Sequence, residues 1–488
     1  MAKAKEKFYI TTSIAYTNNT PHIGFALEVI QADMLARYHR FLGQEVFYLT
    51  GTDEHGQKVA KAAEKAGKTP KEFCNEISAK FRALKKTLNL SNNDFIRTSD
   101  RKRHWPAVKK VWLKLKENGD IYKKEYKGFY CVGCEAFITK KDLKDGKCRI
   151  HQKEPEVIEE ENYFFRLSKY TKKIEELLKK DKIKIIPESR KNEMLSFLKQ
   201  GLEDISFSRP RKDLKWGIPV PDDQTQTIYV WADALTNYLS AIGYAKNGEK
   251  FKKYWPPDVQ CIGKDILKFH ALIWPAMLLS LKLPLPKVIF VHGFLNVAGQ
   301  KISKSLGNVI DPFDLVKKYG TEAVRYFLLR EIPATEDGDF TYEKFEKRYN
   351  SDLASGLGNL VARTIKLGKI SNFQFLISKL SPNSKFQKII NKTWKKYHEA
   401  LAEFKFNEAL IIIWDLISFC DRYIEKERPW ELIKSKVKSQ KSKVVISHLL
   451  LVISQIADML QPFLPETSKK ISQQLKTKKS QILFPRLK

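Results

Sequence analysis

Phe8-Tyr9-Ile10-Thr11-Thr12, Asn18-Asn19-Thr20-Pro21-His22-Ile23-Gly24-Phe25 and Val46-Phe47-Tyr48-Leu49-Thr50-Gly51 decide the fold class. The first run is rich in β-branched and aromatic residues and reads as a strand. The polar turn Asn18–Pro21 leads into a helix expected over Ile23–Gly43, and Val46–Thr50 reads as a second strand. Strand, helix, strand is the pattern of a parallel α/β sheet. Strand-like segments return at Thr227–Val230, Gln260–Gly263 and Lys287–Val291, again with helices between them. The interval Gly119–Trp216 breaks the alternation. It holds a cysteine cluster and Lys-rich helices, and reads as an insertion. Beyond about Tyr342 the chain is almost wholly helical. The expected organisation is an α/β domain in two halves, 1–118 and 225–292, separated by an insertion over 119–224. A region at 293–345 and a helical domain at 346–488 follow.

The 488 residues are too many for one core, and 43% apolar with 30% charged residues is a globular composition. The net charge of +32 favours a polyanionic partner, because cationic side chains that neutralise phosphates release counterions. Nucleic acid ranks above membrane, since no basic amphipathic anchor stands out. Met1–Lys7 is basic, but a strand-like run follows it and not a secretory apolar region. The longest apolar stretch, Val444–Leu460, contains Ser447, His448, Gln455 and Asp458, so a buried helix is expected there and not a membrane span. The six cysteines do not form a secreted disulfide framework, which points to a reducing cytoplasm.

Two short motifs carry phosphate chemistry. His22-Ile23-Gly24 opens a helix, where N–H groups and the positive dipole end suit a triphosphate. His22 can donate to a phosphate oxygen, and Gly24 lets a nucleotide approach the backbone. Lys301-Ile302-Ser303-Lys304-Ser305 follows a strand and a Gly-bearing turn. Two lysines among small hydroxyl residues form a cationic clamp for a pentavalent phosphate and its leaving pyrophosphate. Either motif alone is weak. The pair within one α/β chain is specific.

Cys131-x-x-Cys134 and Cys148-x-x-His151 are two knuckles separated by 13 residues. Three thiolates and one imidazole match a closed, tetrahedral structural Zn(II) site.

The two phosphate motifs resemble the paired signatures of the class I aminoacyl-tRNA synthetases, and the resemblance spans essentially the whole chain. It implies a Rossmann-type catalytic sheet, ATP with Mg²⁺, and His22, Gly24, Lys301, Ser303, Lys304 and Ser305 as the catalytic set. Phe25 departs from the usual His of the first signature and is left out. The aromatic-rich segments Tyr229–Ala234 and Gly263–Trp274 resemble the side-chain pocket of the methionyl-tRNA synthetases. Ile266, His270 and Trp274 recur at intervals of four, one face of a helix. A thioether suits an aromatic wall.

By that resemblance Asp53 binds the amino group of L-methionine, and Ile14, Tyr16, Trp231, Ala234, Leu235, Tyr238, Ile266, His270 and Trp274 line or gate the pocket. Arg209 matches an active-site Arg of the family. The zinc cluster resembles the family's single-knuckle insertion. Asn359, Arg363 and Trp430 match an anticodon-reading set for tRNA(Met), and a monomer is favoured. The nearer rivals are the cysteine, isoleucine, valine and leucine enzymes. The last three need a large editing insertion not seen here, and the first places zinc in the amino-acid pocket. A non-catalytic tRNA-binding module would have no need of both phosphate motifs and Asp53.

Overall fold

The computed structural model describes residues 6–133, 136–138, 143–149, 152–302, 307–370, 385–433 and 439–487. The chain divides into two compact units, Met1–His292 and Gly293–Lys488.

The first unit is built on a six-stranded, all-parallel sheet. Its strands are β1 (Lys7–Tyr16), β2 (Glu45–Asp53), β3 (Asp94–Arg97), β4 (Lys184–Ile186), β5 (Val259–Gly263) and β6 (Val288–His292). Their spatial order is β3-β2-β1-β5-β6-β4. The run Val46-Phe47-Tyr48-Leu49 in β2 is buried without alternation, as a strand covered on both faces requires. The order reverses direction beside β1. The crevice beyond the carboxyl ends of β1 and β5 is therefore the topological switch point, where open α/β sheets take their ligands.

Helix α1 (Ile23–Phe41) packs over β1, β2 and β5. Its apolar residues Ile23, Ala26, Leu27, Val29, Ile30, Met34 and Leu35 are buried. Arg40 favours its last turn through the helix dipole, and Gly43 turns the chain away at φ +85°.

Two expectations are corrected here. Thr227–Val230 is not a strand of the parallel sheet. The strand there is Asp223–Ile228, it belongs to a three-stranded antiparallel sheet, and a helix begins at Val230. The interval 119–224 is not wholly outside the α/β domain, because Lys184–Ile186 pairs with Val288–Phe290 and closes the edge of the main sheet. What stands apart from that sheet is a long antiparallel hairpin, Ile121–Cys131 against Glu156–Phe165, with short strands beside it.

In the second unit Leu295–Val297, Gln300–Lys301 and Gly338–Phe340 form a small sheet, with the helices Pro312–Tyr319 and Thr321–Arg330 between its second and third strands in the chain. The expected apolar helix runs over Ser439–Leu460. It is long and apolar enough to cross a membrane, yet Ile446, Leu449, Val452, Ile453, Ile456 and Leu460 are buried inside the bundle.

Candidate active site

The carboxyl ends of β1 and β2 bring the first site residues together. Tyr16 and Asp53 are register partners across the two strands, and a bulge between Thr11 and Ile14 re-aims the end of β1. Asp53 is buried. Its backbone carbonyl accepts from the N–H and hydroxyl of Thr17, and the Thr98 hydroxyl meets its carboxylate at 3.4 Å. Gly51 makes the close packing beside it possible, since a Cβ there would stand 2.2 Å from the Ile96 carbonyl oxygen.

His22 caps α1, and its Nδ1 accepts the Gly24 N–H at 3.0 Å. That bond leaves the ring proton of a neutral imidazole on Nε2, the donor a phosphate needs. Burial pushes the His22 pKa down, which favours the neutral ring. The expectation of several open amides at this helix start is corrected. The Gly24 N–H serves the His22 ring, and the Phe25 and Ala26 N–H groups bond the His22 carbonyl. Phe25 packs edge-on against Phe81 at 5.0 Å and lines a cavity of about 320 Å³ with Leu84 and Phe95.

The methionine-pocket candidates converge on Tyr238 and His270. The Tyr238 hydroxyl meets His270 Nε2 at 2.7 Å, and His270 Nδ1 donates to the Ile266 carbonyl at 3.1 Å. Burial pushes the His270 pKa down to about 4, against weaker opposing effects of that carbonyl bond and of Glu28. Tyr238 also packs on Trp274, and Trp231 stacks on Phe269 at 3.6 Å. Ala234, Leu235 and Trp274 are buried. The single α-helical stripe expected for Ile266, His270 and Trp274 is corrected. A 3-10 turn at Lys264–Ile266 is followed by a π-helical turn, Phe269–Ile273, before a regular helix starts at Trp274. Such wide turns recur at functional sites.

Arg209 sits on the strand Ser208–Pro210, donates to Glu160 at 2.9 Å and covers the Tyr130 ring at 4.2 Å. Those partners belong to the long hairpin, so a substrate role there would require exchange with Glu160.

Some residues of this region are not evident from sequence reading. Glu28 on α1 is buried; its Oε1 accepts from the N–H and hydroxyl of Ser13 at 2.7 Å each, and its Oε2 meets His292 Nε2 at 2.9 Å. It thereby fastens the β1 bulge to α1 and to the end of β6. A carboxylate between the apolar residues Leu27 and Val29 is the signal that marks it, one that α1 repeats at the buried Asp33.

In the second unit Lys301 lies in a hairpin whose two-residue turn, Ala298-Gly299, has both φ values positive, as a tight hairpin demands. Lys301 is exposed, with its ammonium 5.5 Å from the centre of the Phe294 ring. Ser303, Lys304 and Ser305 lie outside the described residues.

The family model described as "tRNA synthetases class I (M)" matches residues 8–142 and 138–365, and one described as "Anticodon-binding domain of tRNA ligase" matches 384–487. A methionine–tRNA ligase of Thermotoga maritima is 46% identical over 95% of this chain and 74% of its own length. That of Bacillus subtilis is 42% identical over 97% of this chain and 74% of its own. The chain belongs to the methionyl-tRNA synthetase family. A solved structure of the Mycobacterium tuberculosis family member, in complex with methionyl-adenylate, aligns with TM-score 0.90 at 37% identity, over 96% of this chain and 93% of that one.

Two further expectations drawn from the family fall on the remaining elements. Asn359 and Arg363 share the helix Asn359–Ile370, and the Arg363 guanidinium lies 5.7 Å from the Trp430 ring while bonding Glu425 at 2.8 Å. Trp430 is half-buried, and not the fully exposed ring a stacking role suggests. Of the zinc ligands expected from the Cys-x-x-Cys and Cys-x-x-His spacing, Cys131 and Cys148 are buried in one small cluster with Ile138. Cys134 and His151 lie outside the described residues, and among the described residues no group of three or more His, Cys, Asp or Glu side chains is arranged to hold a metal ion.

Proposed function

We infer that this chain ligates L-methionine to tRNA(Met) in two steps, with ATP as the energy source, for protein synthesis. The observation that carries the reading is the pairing of Asp53 with Tyr16 at the carboxyl ends of β2 and β1, beside the switch point, in a chain whose relatives are methionine–tRNA ligases. In the reading, the Asp53 carboxylate receives the methionine ammonium. The neutral Tyr238–His270 pair offers no charge to the thioether, and Ile14, Tyr16, Trp231, Ala234, Leu235, Ile266 and Trp274 form its wall. Arg209 stands at the margin of this set.

A methionine carboxylate oxygen attacks the α-phosphorus of ATP in line. A P–O bond forms, the bridging bond to the β-phosphate breaks, and pyrophosphate leaves with the electron pair. His22 Nε2–H and the Lys301 and Lys304 ammonium groups stabilise the developing charge, Gly24 keeps the nucleotide close, and Ser303 and Ser305 complete the loop. Mg²⁺ bound with ATP would offset phosphate charge. The terminal ribose hydroxyl of tRNA then attacks the methionyl carbonyl, forming the ester and releasing AMP and the hydroxyl proton. Positioning and charge stabilisation supply the acceleration without a protein nucleophile.

Zinc fits the knuckle as a folding element. Cys131 and Cys148 already share a buried cluster, and a bound ion would join them to Cys134 and His151. Asn359, Arg363 and Trp430 are proposed to read the anticodon. The proposed setting is a cytoplasmic monomer.

The test is Lys304→Ala. Methionine-dependent pyrophosphate exchange is expected to vanish while tRNA binding stays within about twofold, because tRNA is held largely elsewhere. Near-normal exchange in that variant would contradict the assignment.

A further inference from the structure

One buried carboxylate outside the assigned residues stands between two imidazoles. Asp233 lies in the helix Val230–Leu235, His55 stands two residues past Asp53, and His104 opens the helix His104–Glu117. His55 Nδ1 meets one Asp233 oxygen at 2.6 Å and His104 Nε2 meets the other at 2.7 Å. None of the three residues is more than 1% exposed. His104 Nδ1 continues to the Ser240 hydroxyl at 2.8 Å. The Trp105 and Trp216 rings flank His55 edge-on, and His55 Nε2 is buried with no hydrogen-bond partner among the described residues.

A carboxylate taken out of water is tolerated only when both oxygens are satisfied. Burial pushes the Asp233 carboxyl up, but the His55 and His104 imidazoles more than offset this and hold it below the ordinary carboxylate range. The two bonds are therefore charge-assisted and directional. Packing alone does not require such a group, since apolar side chains of equal volume fill buried space at least as well. What a carboxylate bonded by two imidazoles adds is geometry. His55 and His104 lie 178 and 129 residues from Asp233 in sequence, so the carboxylate joins three distant segments at one point.

We propose that Asp233 is a positioning residue for methionine, locking the segment at His55, just past the Asp53 end of β2, to the helix that carries Trp231, Ala234 and Leu235. The ammonium site and the side-chain wall are thereby held at a fixed separation. This rests on the methionine-site reading above. None of the bonds of Asp233 described above reaches His22 or the nucleotide-binding set, so its loss acts on methionine and not on ATP.

The experiment is pyrophosphate exchange on the full chain, with methionine varied at saturating ATP and ATP varied at saturating methionine. Asp233→Asn keeps the shape but presents an NH₂ group to one imidazole N–H. It is expected to raise the KM for methionine at least tenfold, with the KM for ATP within twofold of wild type. His104→Gln keeps a donor at that place and is expected to hold the methionine KM within threefold. An unchanged methionine KM in Asp233→Asn, or equal rises in both constants, overturns the proposal. Where Asp233→Asn does not fold, His104→Leu against His104→Gln makes the same comparison. A raised methionine KM in the Leu variant alone supports the proposal, and equal values overturn it. A wild-type chain with no methionine-dependent exchange removes the methionine-site reading itself, a separate failure.

Discussion

The Tyr238 hydroxyl stands 2.7 Å from His270 Nε2, while His270 Nδ1–H donates to the Ile266 carbonyl at 3.1 Å. The carbonyl can only accept, so it sets the tautomer. Nε2 then carries a lone pair, and the tyrosine is the donor. Tyr238→Phe leaves that lone pair buried without a partner. Loss of about 1–3 kcal/mol of stability is expected, with a raised KM for methionine, read by denaturant unfolding and pyrophosphate exchange. Unchanged stability would show that the bond is not formed in solution.

The same pair gives a pH dependence with a definite sign. His270 is pushed down to about 4 from an ordinary 6.5. As pH falls, the unfolded chain takes up this proton first, so the folded state loses stability between about 6.5 and 4 and holds it fully above. The loss is about 3 kcal/mol when complete. Unfolding midpoints at pH 7.5 and 4.5 check this, and His270→Gln is expected to show a smaller drop than wild type. An equal drop in both would place the acid sensitivity elsewhere.

Glu28→Gln tests the clamp on β1. The amide oxygen can still accept from Ser13, but its NH₂ group faces His292 Nε2 in place of a carboxylate oxygen. A stability loss of about 1–3 kcal/mol is expected, together with a raised methionine KM, because Ile14 and Tyr16 lie just past the bulge that Glu28 holds. Wild-type values for both would remove Glu28 from the account.

Gly51→Ala forces a methyl group to within 2.2 Å of the Ile96 carbonyl oxygen, and backbone cannot yield as a flexible side chain does. Separation of β2 from β3 is expected, with a cost of about 1–3 kcal/mol and weakened methionine binding at Asp53. Thermal melting and equilibrium binding of methionine read the two effects.

These cases mark what sequence reading reaches. The cap at His22, the strand runs of β1 and β2 and the hairpin before Lys301 are local patterns, and each appears where its periodicity and turn residues place it. Lys184–Ile186 was hidden because three residues that follow a Lys-rich run and end at Pro187 carry little strand signal, and only pairing with β6 about a hundred residues away makes them a strand. The π-helical turn at Phe269–Ile273 is set by packing and leaves the spacing of four intact. His55, Asp233 and His104 were invisible for the same nonlocal reason, as was the Glu160 partner of Arg209.

Trp430→Ala separates the two units' proposed tasks. Stacking on an unpaired base contributes about 1–3 kcal/mol, so the kcat/KM for tRNA charging is expected to fall about tenfold or more, with pyrophosphate exchange within twofold of wild type. Equal losses in both assays would assign Trp430 to folding and not to the anticodon.

The central claim is tested most directly by ATP–pyrophosphate exchange on the full chain, measured separately with methionine, cysteine, leucine, isoleucine and valine. The account expects strong exchange with methionine and little with the others, followed by methionine transfer to tRNA(Met). Exchange driven best by another amino acid, or none with methionine, would contradict it.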